Sequence, residues 1–328
     1  MLFRSTYAMT VTWPLRQVGR LVSQAGMTFV AMSRIDEILK AEEEVYVELN
    51  PSVSDSFLKE NSVENGQIFD RILGDVEFRN VSFRYKTDDR WALENVSFKV
   101  SAGEKVALLG GTGAGKSTII TLLSRFYEPT EGEILLDGRP LSSFDKTWLR
   151  TRLGVVHQRA FLFSTTIKEN IAFVEPTVDF SKIESVAEAS AVASFMDKMP
   201  NGYDTVVGEK GVSLSGGQRQ RVALARTLLT EPDILILDDA TSAVDTETER
   251  HIQQSLDPIL RGLTAFIIAY RMTTIQNVDK IIVLDKGRIL QQGTHAALLE
   301  TDGFYRQMHD IQMSVESDIE MEMASYNG

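Results

Sequence analysis

The sequence predicts an α/β fold: a core parallel sheet, an antiparallel β subdomain and a helical subdomain, preceded by an N-terminal helix. Three observations lead there. The apolar run Val106-Ala107-Leu108-Leu109 passes directly into a glycine-rich loop and then into a helical pattern. Ile234–Leu237, Ala265–Ala269 and Lys280–Leu284 are short, continuous apolar runs, as in parallel strands buried on both faces. Val76, Phe78, Val81, Phe83 and Tyr85 alternate instead, as do Val96, Phe98 and Val100, which predicts strands of the half-exposed, antiparallel kind.

With 328 residues, 43% of them apolar, the chain has room for one large or two modest domains with a packed core. A net charge of -12 argues against general nucleic-acid binding, which needs a basic stripe along the phosphates; no nucleic-acid partner is expected. There are no cysteines, which excludes disulfides, thiolate metal sites and Cys nucleophiles. No apolar stretch reaches the roughly 18 residues that span a bilayer, and the start lacks the apolar core of a signal peptide.

Taken in order, residues 1–35 hold Arg4, Arg16, Arg20 and Arg34 and no acid, among apolar residues such as Trp13, Leu21, Phe29 and Met32. This predicts an apolar helix with a basic flank, kinked near Pro14 and ending about Lys40. Glu42-Glu43-Glu44 follows, and residues 50–67 turn to Ser, Asn, Asp, Glu and Pro, which suits a solvated linker. The strand pattern from Val76 shifts phase near Asn80. A strand over Glu133–Leu136 meets a turn at Asp137-Gly138, and the stretch from about Trp148 to Leu229 reads as mostly helical. Asp285-Lys286-Gly287 folds the last buried run into a hairpin, and an acidic tail beyond Ser317 is expected to fray.

Residues Gly110, Gly111, Thr112, Gly113, Ala114, Gly115, Lys116, Ser117 and Thr118 have the spacing G-x-x-x-x-G-K-S between a strand and a helix, the phosphate-binding P-loop. Small residues let the chain curl until successive backbone N–H groups converge on one anion, and the following helix adds its positive dipole end there. Lys116 would bridge the outer phosphates and Ser117 would hold Mg²⁺. A nucleoside triphosphate and Mg²⁺ are the ligands expected, and the P-loop alone leaves kinases, GTPases and ATPases open.

Leu214-Ser215-Gly216-Gly217-Gln218 lies immediately before a helical run, Arg219–Leu229, and ahead of the strand ending in Asp238. A Ser and two glycines at a helix N-terminus make a second anion-accepting cap. One domain has no obvious use for two triphosphate cradles, but the second serves if another molecule's ATP is pressed against it. This pentapeptide resembles the signature of the ATP-binding cassette (ABC) family, and the resemblance covers about Leu73 to Gln312. It implies a P-loop NTPase core of the ABC ATPase type, with ATP as the nucleotide. It further implies that Tyr85 stacks on adenine, that Gln158 touches Mg²⁺ and the attacking water, and that Asp238 holds Mg²⁺. Asp245, in Ser242-Ala243-Val244-Asp245, is similar to the loop that crosses to a partner subunit, and Gly208-Glu209-Lys210-Gly211 to an exporter contact with the membrane domains. Residues 1–40 look like the end of an exporter's last transmembrane helix and its cytoplasmic extension. The organisation implied is 41–72 linker, 73–312 ABC ATP-binding domain and 313–328 acidic tail, at the cytoplasmic face of the cell membrane, with transmembrane domains as partners.

Two positions depart from the family pattern. Asp239 stands where the resemblance implies a Glu that polarises the attacking water; one methylene shorter, its carboxylate sits more than ~1 Å back, an error that costs on the order of 10²-fold. Tyr270 stands where a switch His is implied, and a phenol of pKa ~10 is not cationic near neutrality. Both changes fall on hydrolysis and spare binding. Together with the intact Ser215–Gln218 signature they imply the degenerate-site subunit of a heterodimeric exporter, completing the active site of a second ABC subunit. A homodimeric export ATPase acting through Asp239, and a soluble ABC-type regulatory ATPase, are the alternatives.

Overall fold

A computed structural model describes residues 2–40, 63–64, 67–68, 71–86, 89–208, 212–238, 246–268 and 275–314. The chain divides into two compact units, Met1–Glu48 and Leu49–Gly328.

The first unit holds α1 (Leu2–Leu39), 38 residues with Pro14 inside the helix. Its side chains Trp13, Leu21, Val22 and Phe29 are exposed, the last at 74%. Lys40 closes its end through a 2.6 Å ion pair with Asp36, one turn back. Among the described residues no helix is long and apolar enough to cross a membrane; in α1 the run is broken by Arg16, Arg20 and Arg34.

In the second unit the strands are β1 (Val63–Glu64), β2 (Gln67–Ile68), β3 (Val76–Phe83), β4 (Leu93–Val100), β5 (Lys105–Leu109), β6 (Glu131–Leu136), β7 (Arg139–Pro140), β8 (Leu153–Val156), β9 (Ile234–Asp238), β10 (Thr264–Ile268), β11 (Lys280–Asp285) and β12 (Arg288–Gly293). The helices are α2 (Lys116–Leu123), α3 (Lys146–Arg152), α4 (Ile167–Ile171), α5 (Phe180–Ala189), α6 (Gly216–Leu229), α7 (Thr246–Leu260) and α8 (His295–Glu300), followed by α9 over residues 304–314. Six strands form the central sheet in the order β12-β11-β5-β10-β9-β8, and β4-β3-β6-β7 form a separate antiparallel sheet. Within the central sheet only the β11–β12 pair is antiparallel.

Side chains alternate across a strand, and the continuous apolar runs therefore feed two cores at once. Val106, Leu108, Ile236, Phe266 and Ile282 face the core shared with the antiparallel sheet. Their neighbours Ala107, Leu109, Leu235, Ile267 and Ile281 pack with Leu224, Ile252 and Tyr305 on the other side. A third core, with Ile171, Ile183, Val222 and Leu229, holds α4, α5 and α6 together as the helical subdomain. The phase shift at Asn80 is a bulge: its φ is 48° and the β3–β4 register slips between Phe78 and Val81.

One expectation needs correction. Leu153–Val156, inside the stretch read as mostly helical, is the edge strand β8, parallel to β9. Four residues are too few for a period to declare itself, and tertiary packing decides: a Cβ on Gly154 would lie 2.7 Å from Pro232 and 2.8 Å from Thr227. The hairpin of β1 and β2 lies within the stretch read as linker.

The chain leading into β3 is held by a built anchor. Asp137 accepts from the backbone N–H groups of Leu73, Gly74 and Asp75 at 2.8, 3.0 and 2.9 Å, with Gly74 at φ +93°. Just before it, the N–H of Ile72 donates to buried Asp233 at 3.1 Å. Asp137→Ala is expected to cost about 1–3 kcal/mol, since three amides lose a charged acceptor; a fall in the thermal midpoint measures it.

Candidate nucleotide site

The cavity sits where β5, β9 and β8 end. Gly110 leaves β5 at φ +146°, and a Cβ there would stand 2.2 Å from the carbonyl of Leu284. Only glycine lets the loop turn this close to β11. Gly110→Ala is therefore expected to cost about 1–3 kcal/mol and to weaken nucleotide binding, seen as a lower thermal midpoint together with a lower calorimetric affinity. Gly115, in the left-handed region at φ 107°, is the residue before α2; a Cβ there would meet Leu93 at 2.6 Å. The loop is braced from outside by the β11–β12 turn, where the N–H of Gly287 donates to the carbonyl of Ala114 at 3.1 Å.

Lys116 opens α2, is 6% exposed, and its Nζ donates to the carbonyls of Gly110 and Gly111 at 2.7 and 2.9 Å. The ammonium thus rests within the curl of its own loop, at the positive end of α2. Thr112–Thr118, Tyr85, Gln158 and Asp238 line one cavity of about 840 Å³, within the range of small-molecule sites. The Tyr85 hydroxyl is 3.2 Å from Thr118 Oγ1, and its ring meets Phe83 and Tyr127 edge-on at 4.9 and 5.3 Å. These contacts fix the ring at the cavity wall.

The donors fit a hard cation as well as a nucleotide. Ser117, Gln158 and Asp238 bring oxygen atoms to the same cavity, whereas the described residues contain no cluster of three His, Cys, Asp or Glu. That donor set suits Mg²⁺, which binds through one or two protein oxygens plus substrate phosphates and water. Arg90, Trp91, Ile268 and Lys286 also line the cavity and were not singled out from the sequence. For Lys286 the only signal was its turn; it sits at the tip of the β11–β12 hairpin with φ 46°.

Ser215–Gln218 stand apart from this cavity, at the start of α6. The helix begins at Gly216, three residues earlier than expected, because Ser215 and Gln218 form a capping box. Ser215 Oγ accepts from the N–H of Gln218 at 3.2 Å, and Gln218 Oε1 accepts from the N–H of Ser215 at 2.8 Å. Gly216 and Gly217 occupy the first helical positions, whose N–H groups have no carbonyl within the helix. They are the groups an outside anion would engage. Further along α6, Arg226 lies beside the stacked rings of Phe163 and Phe173 and donates to the carbonyls of Phe161 and Asn170 at 3.0 and 2.7 Å. Burial holds its guanidinium pKa below the usual value, and it stays cationic. Asp239, Tyr270 and Asp245, and residues 209–211, lie outside the described residues.

A glycine-lined loop between a central parallel strand and a helix, with a Lys inside it and an Asp at the end of β9, one strand beyond β10 in the same sheet, defines a P-loop nucleoside-triphosphate-binding domain. Residues 93–242 match the ABC transporter family. The chain belongs to that family through its nucleotide-binding domain, an ABC-type ATPase domain that binds ATP. The ATP-dependent lipid A-core flippase of Escherichia coli (strain K12) is 48% identical over 251 residues, 76% of this chain and 43% of the relative. The uncharacterized ABC transporter ATP-binding protein YknU of Bacillus subtilis (strain 168) is 39% identical over 300 residues, 92% of this chain and 49% of the relative. A solved bacterial Atm1-family ABC exporter with ATP bound is similar at TM-score 0.74 and 40% identity, over 87% of this chain and 47% of that one. The chain spans less than half the length of these relatives.

Proposed function

We propose that the chain is the ATP-binding subunit of an ABC exporter at the cytoplasmic face of the cell membrane, with its own site weakened for hydrolysis. The single observation that carries this reading is the division of residues. Tyr85, Thr112–Thr118, Gln158 and Asp238 line one cavity, the Ser215–Gln218 cap is formed, and the two departures, Asp239 and Tyr270, both fall on the hydrolytic step. Its partners are transmembrane domains and a second ABC subunit. Residues 1–40 act as the end of a last transmembrane helix with its cytoplasmic extension, 41–72 as linker, 73–312 as the ABC domain and 313–328 as acidic tail. The YknU match, at 92% of this chain, reaches into the N-terminal unit, so part of that unit is shared with an ABC transporter ATP-binding protein.

In this mechanism Tyr85 stacks on the adenine, while the N–H groups of Gly111–Thr118 and the Lys116 ammonium hold the phosphates. Gln158 orients the attacking water. Ser117, Gln158 and Asp238 would hold Mg²⁺, which when bound neutralises charge developing on the transferred phosphoryl group. Asp239 reaches that water poorly, and Tyr270 offers a hydrogen bond but no positive charge. ATP at this P-loop therefore holds two domains closed for long periods. Ser215, Gly216, Gly217 and Gln218, with Asp245 crossing over, complete the partner's site, where most turnover occurs. The relatives named lipid A-core flippase make an amphipathic lipid the first cargo to assay.

The test is ATP hydrolysis by the purified chain alone and with its cognate half. Slow turnover alone and strong turnover of the pair are expected; vigorous hydrolysis by the lone chain overturns the degenerate-site reading.

A further inference from the structure

Gln220 is a polar residue that the mechanism above does not use, yet it is only 3% exposed. Its Nε2 donates to the main-chain carbonyl of Gln158 at 3.1 Å. Two features make that bond more than the satisfaction of a buried amide. Gln158 itself lines the nucleotide cavity, and Gln220 stands on α6, two residues beyond the capping box of Ser215 and Gln218. The same helix takes a second hold on the same loop, through Arg226 and the carbonyl of Phe161. The segment that meets this chain's own ATP is thereby tied at two points to the helix whose first turn is offered to another molecule's ATP.

Resting on the function proposed above, we propose that Gln220 is a positioning residue: by gripping the carbonyl of Gln158 it makes that loop and the first turn of α6 move together. Nucleotide in the chain's own cavity then sets the orientation of Ser215–Gln218. In a subunit that cleaves its own ATP slowly, such a link lets the long-held nucleotide keep the partner's site assembled. The coupling is a free energy between two sites and acts in both directions.

The chain has no cysteine, and Ser213 is exposed beside the signature. Ser213→Cys thus accepts one environment-sensitive dye on the full chain. Saturating Mg-ATP is expected to change its emission. Gln220→Met, close in length but lacking the amide donor, is expected to reduce that change at least about fivefold, with the calorimetric ATP affinity and the thermal midpoint unchanged. An equal emission change in Gln220→Met overturns the coupling. So does a loss of ATP affinity in step with the emission, which marks a merely structural role. If Gln220→Met fails to fold, Gln220→Leu, also apolar and lacking the amide donor, takes its place with the same fall in emission change expected, and an undiminished change there overturns the coupling equally. A parent chain that takes up no ATP overturns the proposed function and this inference together, whereas one that binds ATP without an emission change overturns this inference alone.

Discussion

Lys116→Ala is expected to remove detectable ATP binding while the domain stays folded. The ammonium sits at the mouth of α2 and donates to the carbonyls of Gly110 and Gly111; in the bound state it can turn from them to the outer phosphates. Each charge-assisted hydrogen bond contributes about 1.5–3 kcal/mol. Losing two weakens binding by on the order of 10²-fold or more. The side chain lies over a loop, not in the apolar cores, so the thermal midpoint is expected to shift by only a few degrees. Calorimetric titration of the purified variant with Mg-ATP measures the loss, and retained affinity would refute the assignment of Lys116.

The second large effect is a gain. Restoring the longer carboxylate and the imidazole, as Asp239→Glu with Tyr270→His, is expected to raise hydrolysis at the chain's own site by on the order of 10²-fold or more. The two changes serve one step, so their effects are not expected to add. Either single variant should recover less than the pair, and none should alter ATP affinity greatly. Phosphate release by the chain paired with a second half whose own P-loop Lys is removed isolates this site. No rise in the double variant would show that Asp239 and Tyr270 are not what limits it.

Legibility differed from element to element. The strands β5, β9, β10 and β11 were readable because burial on both faces makes each a short apolar run, and the hairpin after β11 because Asp285-Lys286-Gly287 has turn chemistry. The P-loop was readable because its geometry tolerates few residue types. The strand β8 was not: four residues beside a helix carry no period, and only pairing with β9 makes them a strand. Arg90, Trp91 and Lys286 escaped for a related reason. They reach the cavity from β-strand connections remote in sequence from the loop they face, and neither a lone Arg nor a lone Lys at a turn signals a ligand.

What the sequence determined by itself was the chemistry of the nucleotide site and of the capped helix, because a backbone cradle for phosphate depends on local conformation and glycine at set spacing. What only the tertiary structure decided was which distant groups share a space with that cradle. Tyr85, Gln158 and Asp238 meet across one cavity, and Gln220 holds the loop beside it. Such meetings depend on how sheets, loops and helices pack against one another, and packing joins residues whose separation along the chain carries no mark of the contact.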